Sequence, residues 1–303
     1  MARGSDISAS DYVAIQDKAQ TLLGTGIGSR GYGQTVVSTD VFRGNQITKL
    51  QWDLLRFDIT NIKVHQDGVL PPIVTVNRGE AIGFNAASPN TNYNTLVESA
   101  IANRFEVATN QSVITLKDTK TYASSWTSSA SATLTATFST ADQARYFFNS
   151  GGKFRITAQL IGGSPTSQVN AWTNFLNSVG TQSFGAATGS LANYYTLTNS
   201  YQTAYQGSLT TPYSSNNYRL EARCNVANNS EGTATTIEMR IILTDGYVDP
   251  GNSGLGDTPN TIDRVDGTLI ITVEELKASG SLIPTGTFTI TSPTYSLSSI
   301  AAS

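Results

Sequence analysis

The run Gly24-Thr25-Gly26-Ile27-Gly28-Ser29-Arg30-Gly31-Tyr32-Gly33 contains the spacing G-x-G-x-x-G at Gly26, Gly28 and Gly31. Glycines so placed let backbone N–H groups approach a pyrophosphate at a helix N-terminus. That chemistry needs a buried strand before the run, a helix after it and an acidic residue about 20 positions on. Here a helical pattern precedes the run, and "QTVVSTDVF" after it is not helical. The glycines therefore read as a connector between two helices, supplying positive φ and close chain approach.

Other reactive side chains are few. His65 is the single histidine and Cys224 the single cysteine. Without a second histidine, His65 has no partner for a relay or a metal pair. Its place at the end of a helical pattern suits a cation facing the helix dipole. Cys224 falls on the apolar face of a strand pattern and reads as a small buried hydrophobe. The stretch "TDGYVDPGNSGLGDTPNTIDRVDG" carries Asp245, Asp249, Asp257, Asp263 and Asp266 between two strand patterns. Carboxylates and carbonyls are ligands for hard cations, but the EF-hand order is absent. A solvated or subunit-bridging loop is the favoured reading. Tyr194, Tyr195, Tyr201, Tyr205, Tyr213 and Tyr218 crowd one segment among Thr, Asn and Gln. Three readings compete there: ordinary strand composition, a protein interface, and a surface that stacks on sugars. No pair of carboxylates stands out as general acid and base, and no G-x-S-x-G, Walker or zinc spacing appears. No enzymatic activity, cofactor or metal is expected.

Bulk properties restrict the partners. The chain has 303 residues, with 19 basic and 22 acidic ones, a net charge of −3. Charged residues make up 14% of it, against a usual ~25%. Nothing resembles the basic stripe that nucleic acid or an anionic membrane surface requires. No apolar run is long enough to span a membrane, and "MARGSDISASDYV" lacks the apolar centre of a signal peptide. A surface rich in uncharged polar residues, with 26 glycines and 13 tyrosines, suits a secreted, adhesive or particle-surface protein.

Three regions emerge: a helical amino-terminal part over residues 1–68, a connector with a short helix over 69–110, and a β-rich body over 111–303. Ser8 and Ser10 are candidate N-caps for a helix carrying Tyr12, Ile15, Ala19, Leu22 and Leu23, stopped at Gly24. A second helix spans about Gln46 to His65. Ile47, Leu50, Leu54 and Phe57 form one stripe on it, and Leu55, Ile59 and Ile62 another. Two stripes make an apolar face too wide for one short partner, and this is the candidate oligomer interface. Residues 92–103 read as a short helix, 139–149 as another stopped by Gly151-Gly152, and Val169, Trp172, Phe175, Leu176 and Val179 as a third. "TLTATF", "KFRITAQL", "YRLEARCNV", "IEMRIIL" and "GTLIITVEEL" alternate as strands. The fold class predicted is α+β: a helical start, then a mainly antiparallel, sandwich-like body with inserted helices.

Several blocks carry a family likeness. "DISASDYVAIQDKAQTLLGTGIGSRGYGQTV", "QWDLLRFDITNIKVHQDG", "ARYFFNSGGKFRITAQL", "NAWTNFLNSVGTQSFG", "YRLEARCNVANN" and "DGTLIITVEELKA…FTITSPTYSLSSI" resemble virion structural proteins of marine cyanobacterial myoviruses and related tailed phages. The resemblance covers nearly the whole chain. It implies a non-enzymatic building block located in the virion. With the wide apolar helix face and the low charge, the tail, neck or baseplate is favoured over the head shell. The partners implied are further copies of the chain and other virion proteins. Such proteins bury apolar and uncharged polar surface between copies, and "SRGYGQTVV" would lie extended against a neighbour. The alternative is a carbohydrate-binding adhesin or fibre module that contacts host-surface glycan through Tyr194, Tyr195, Tyr201, Tyr205 and Tyr213. A depolymerising glycosidase is a weaker third reading.

Overall fold

The structure is a computed structural model that describes residues 9–42, 46–71, 73, 93–186, 191–248 and 264–303. It is an α+β fold in which helices come first and two mainly antiparallel sheets follow. The elements are α1 (Ala9–Leu23), α2 (Lys49–Asp67), α3 (Tyr93–Ala102), β1 (Ser112–Tyr122), β2 (Ser129–Thr137), α4 (Ala141–Asn149), β3 (Lys153–Ile161), α5 (Ser167–Val179), β4 (Gln182–Phe184), β5 (Gln202–Ser208), β6 (Asn217–Cys224), β7 (Thr236–Thr244), β8 (Thr268–Ala278), β9 (Thr294–Leu297) and β10 (Ala301–Ala302).

Each helix follows from its caps and its apolar stripe. In α1, Tyr12, Ile15, Ala19, Leu22 and Leu23 are all buried, and Ser8 lies outside the described residues. The second helix starts at Lys49 rather than Gln46 because Thr48 and Gln51 form a reciprocal capping box, which satisfies two otherwise orphaned N–H groups. It ends at Gly68, whose left-handed φ of 75° closes the last turn onto the Val64 carbonyl. Helix α3 packs on both α1 and α2, so part of the expected connector belongs to a three-helix layer.

One sheet has four strands in the order β1-β8-β3-β4, and the other runs β10-β2-β7-β6-β5 with β9 also on β2. Alternation sets their inner faces. Phe154, Ile156, Ala158 and Leu160 point inward from β3, and Leu269, Ile271 and Val273 from β8. The other sheet supplies Leu134 from β2, Tyr218, Leu220, Ala222 and Cys224 from β6, and Ile237, Met239, Ile241 and Leu243 from β7. Helix α4 inserts Phe147 and Phe148 into an aromatic cluster with Phe138, Phe154, Phe184 and Tyr194; the Phe148 and Tyr194 rings stack at 4.2 Å.

One inward position of β8 is a carboxylate. Glu275 is 1% exposed. It accepts hydrogen bonds from Tyr295 Oη on β9 at 2.7 Å and from Ser292 Oγ at 2.8 Å, and pairs with Lys117 Nζ at 3.1 Å. Lys117 reaches inward because the β1–β8 register slips between Leu116 and Asp118. A bulge of this kind re-aims a side chain. The pair therefore joins the two sheets through a network whose members all have partners.

The last turn of α2 corrects one expectation. His65 is buried, with its ring stacked at 4.3 Å on Phe288 and tilted against Tyr32 at 4.9 Å. Burial drives its pKa down to about 3, against an opposing pull from the Ser150 backbone. The ring is thus neutral near pH 7 and supplies no cation to the helix dipole. The unfolded chain protonates it near the ordinary histidine value of 6.5. Stability is therefore intact above that pH and is lost as pH falls from there towards 3, at up to ~1.4 kcal/mol per unit. His65→Phe keeps the stack and removes the proton. We expect urea titrations to show the stability difference between wild type and His65→Phe shifting by roughly 2–3 kcal/mol, against wild type, from pH 7.5 to about 4.5. Parallel pH profiles would refute the assignment.

Candidate functional site

The glycine-rich run is held by side chains of the β-rich body. Asn149, fully buried at the end of α4, donates from Nδ2 to the carbonyls of Gly28 (3.3 Å), Arg30 (2.9 Å) and Gly31 (3.1 Å). Tyr195 Oη donates to Gly28 O at 2.8 Å and also to Asn149 Oδ1. Arg145 donates to Arg30 O at 3.2 Å, and Arg104 Nε to Ser29 O at 3.0 Å. Four consecutive carbonyls thus face inward onto protein donors. The N–H groups of Gly24, Arg30, Tyr32 and Gly33 are bonded to backbone carbonyls of residues 20–27. A phosphate cradle needs the reverse polarity, with free N–H groups converging on an anion. Glycine is required where the chain doubles back: a Cβ on Gly31 would lie 2.2 Å from Thr25 O, and one on Gly33 2.3 Å from the Tyr146 ring. The run is a structural joint.

The expected helical interface is largely spent within the chain. Leu55, Ile59 and Ile62 are fully buried, because α1 and α3 pack on that side of α2. These three residues are therefore unavailable to a partner. Ile47, Leu54 and Phe57 are half-buried, and Leu50 alone is exposed, at 67%. The wide face is divided because the chain supplies more than one helix to cover it. The segment after the glycines also lies on its own chain rather than on a neighbour. Gln34 exchanges hydrogen bonds with the Thr289 backbone at 2.9 and 3.0 Å, and Tyr32 Oη donates to Arg104 O. The Val37 and Ser38 N–H groups donate to buried Asp58 at 3.0 and 2.8 Å. Burial raises the Asp58 pKa despite those bonds.

The tyrosines do not form one surface. Tyr194 is buried, with its hydroxyl on the carbonyls of Gly232 and Ala234, and Tyr195 is consumed by the glycine joint. Tyr201 lies beneath Arg240 at 3.7 Å and Arg223 at 4.5 Å, and donates to Glu238 at 2.9 Å. Burial alone would raise the Glu238 pKa, but hydrogen bonds from Arg223 and Tyr201 outweigh it and hold it low. Tyr205 tilts on Tyr218, and Tyr213 meets Tyr247 edge-on; both are half-buried. Of the acidic loop, Asp245 accepts from Gln168, and Asp266 accepts from the Ser164 N–H and hydroxyl, which hold its pKa low. Asp249, Asp257 and Asp263 lie outside the described residues. Cys224 is buried, with its thiol pKa pushed up. Among the described residues, no group of three or more His, Cys, Asp or Glu could hold a metal ion.

Sequence patterning missed the feature that stands free. Among the described residues, β1 closes one end of its sheet and has β8 as its one strand partner. Its first half exposes Val113 (41%), Ile114 (47%) and Leu116 (61%). In register, Ile114 and Leu116 lie opposite Leu276 and Glu274 on the outer face. The signal was an uncharged apolar run, "SVITL", without clean alternation. The bulge at Lys117 breaks the period of two on which strand recognition rests.

No family model, curated protein or solved structure matches this chain.

The glycine joint makes a sharp prediction. Asn149→Ala leaves Gly31 O and other buried carbonyls short of donors, and equilibrium unfolding should lose roughly 2–4 kcal/mol. Asn149→Asp still accepts from Tyr195 but turns a carboxylate on those carbonyls, so it should destabilise more than alanine at pH 7. An aspartate variant as stable as wild type would show that the amide donor is not what closes the joint.

Proposed function

We propose that this chain is a non-enzymatic structural component of a tailed-phage virion, self-assembling and docking on other virion proteins in the tail, neck or baseplate. The single observation that carries the reading is the β1 edge. An edge strand presents a row of unpaired N–H and C=O groups, and single-chain proteins ordinarily blunt it with charge, proline or short length. Here an eleven-residue edge strand begins with exposed Val113, Ile114 and Leu116, and its charges come only from Lys117 onward. Edge pairing between copies would satisfy the backbone and cover the side chains in one step. Sparse charge, net −3 over 303 residues, lowers repulsion between close-packed copies. The sequence blocks that resemble virion structural proteins supply the setting. The tyrosine segment lends little to the adhesin alternative, because Tyr194, Tyr195 and Tyr201 use their hydroxyls inside the chain.

The test is the mass of the purified chain by light scattering, together with its presence in purified particles. Wild type should self-associate as concentration rises. Ile114→Lys/Leu116→Lys should stay monomeric with an unchanged circular dichroism spectrum, since both side chains already face solvent. A wild-type chain that remains monomeric at every concentration and is absent from particles would sink the proposal.

A further inference from the structure

Helix α5 carries no charged residue. Its inner side buries Val169, Trp172 and Leu176. Asn170, Asn174 and Asn177 recur at helical spacing on the other side and are exposed. Exposed helix positions ordinarily take Glu, Lys, Gln or Ala. Asparagine costs up to ~0.7 kcal/mol each relative to alanine, because its amide competes for local backbone. No hydrogen bond from these three side-chain amides to another described residue offsets that cost: the cap at the helix start is Thr166, on the Val169 N–H. A local rule broken without internal compensation marks a surface that acts outward.

The amide row separates two depressions. One, of about 440 Å³, lies between α5 and the turn after β3, and is bordered by Gln159, Gly163 and Thr173. The other, of about 520 Å³, lies between α5 and the end of β5, and is bordered by Phe175, Ser178, Ser208 and Thr210. Asn170 borders both. Both are open to solvent rather than enclosed, and among the described residues no charged side chain lines either one; the Asp266 carboxylate beside the first is held by Ser164. Phosphate, sulfate or carboxylate ligands would want arginine or lysine here. The available chemistry is a row of amides, each donor and acceptor at once, beside hydroxyls. It also includes one half-buried ring, Phe175, held edge-on by Trp172 at 6.1 Å. Vicinal hydroxyls over an apolar C–H face match that set.

We propose that the outer face of α5, centred on Asn170, Asn174 and Phe175, is a binding site for neutral oligosaccharide. The site lies apart from the β1 edge and does not depend on the assembly reading. Binding takes place by amide–hydroxyl pairing and ring contact, so it is insensitive to salt.

The test uses the full chain on a printed array holding neutral hexose and N-acetylhexosamine oligosaccharides beside sialylated and sulfated ones. Wild type should bind a subset of the neutral glycans equally at low and high salt. Asn170→Ala/Asn174→Ala should weaken that binding at least tenfold. Alanine favours the helix, so the double variant should melt no lower than wild type, which separates lost recognition from lost fold. Three results would overturn the proposal: no neutral glycan bound, binding confined to the charged glycans, or neutral binding unchanged in the double variant. The β1 lysine variants report on assembly alone and should keep glycan binding.

Discussion

A single buried carboxamide, that of Asn149, fixes how the amino-terminal helices sit on the β-rich body. It gathers carbonyls of Gly28, Arg30 and Gly31 at the end of α4. Those carbonyls face inward only because the loop adopts positive φ at Gly26, Gly28, Gly31 and Gly33. The constraint is mutual. Without the amide, buried acceptors lose their partners; without the glycines, no carbonyl could turn towards it. Arg145, Tyr195 and Arg104 add donors from three further places along the chain. Everything amino-terminal is then pinned a second time from the carboxy-terminal side. Asn61 exchanges two hydrogen bonds with Ile283, Gln34 two with Thr289, and His65 stacks on Phe288.

A comparable link ties the sheets to each other. Glu275 sits where an aliphatic residue would continue the inner face of β8, and it is tolerated because Tyr295, Ser292 and Lys117 meet its oxygens. The bulge that turns Lys117 inward also ends the uncharged half of β1. One backbone irregularity thus serves the interior and sets where the exposed apolar edge stops. Burial and the neighbouring Glu275 carboxylate both drive the Tyr295 pKa upward, so its hydroxyl stays a donor.

Where one physical rule governed an element, the sequence made it legible. The strands β3, β6, β7 and β8 alternate cleanly, because each has one face in the core. The helices α1, α4 and α5 show their stripes and their stops. The α+β class followed from that alone. What patterning could not show was which surfaces of the same chain would meet. Both stripes of α2 looked alike as sequence, yet Leu55, Ile59 and Ile62 found covers in α1 and α3 while Leu50 did not. The glycine run has a local context that argues for a connector, a helix before and no helix after. Its real partners, Asn149 and Tyr195, lie more than a hundred residues away and carry no local signature. The tyrosine cluster misled in the opposite direction, since closeness in sequence did not become closeness on one surface. Strand β1 carries no clean signal because Ile114 and Leu116 face outward and the bulge at Lys117 breaks its period of two.

The β1 edge and the α5 face, two exposed surfaces among the described residues, differ in chemistry. The β1 edge offers backbone groups in a regular ladder with branched apolar side chains, a geometry that another extended chain can match. The α5 face offers amides and hydroxyls on a rigid helix, with no unpaired backbone and no charge. A protein partner on α5 would have to exchange well-hydrated amides for equivalent ones at little net gain, because hydrogen bonds made on association replace those to water. A ligand made of hydroxyls on an apolar ring gains by adding Phe175 contact to the same exchange. The β1 edge gains from apolar burial directly. The low overall charge serves both, since neither surface has a long-range field to steer or repel what approaches.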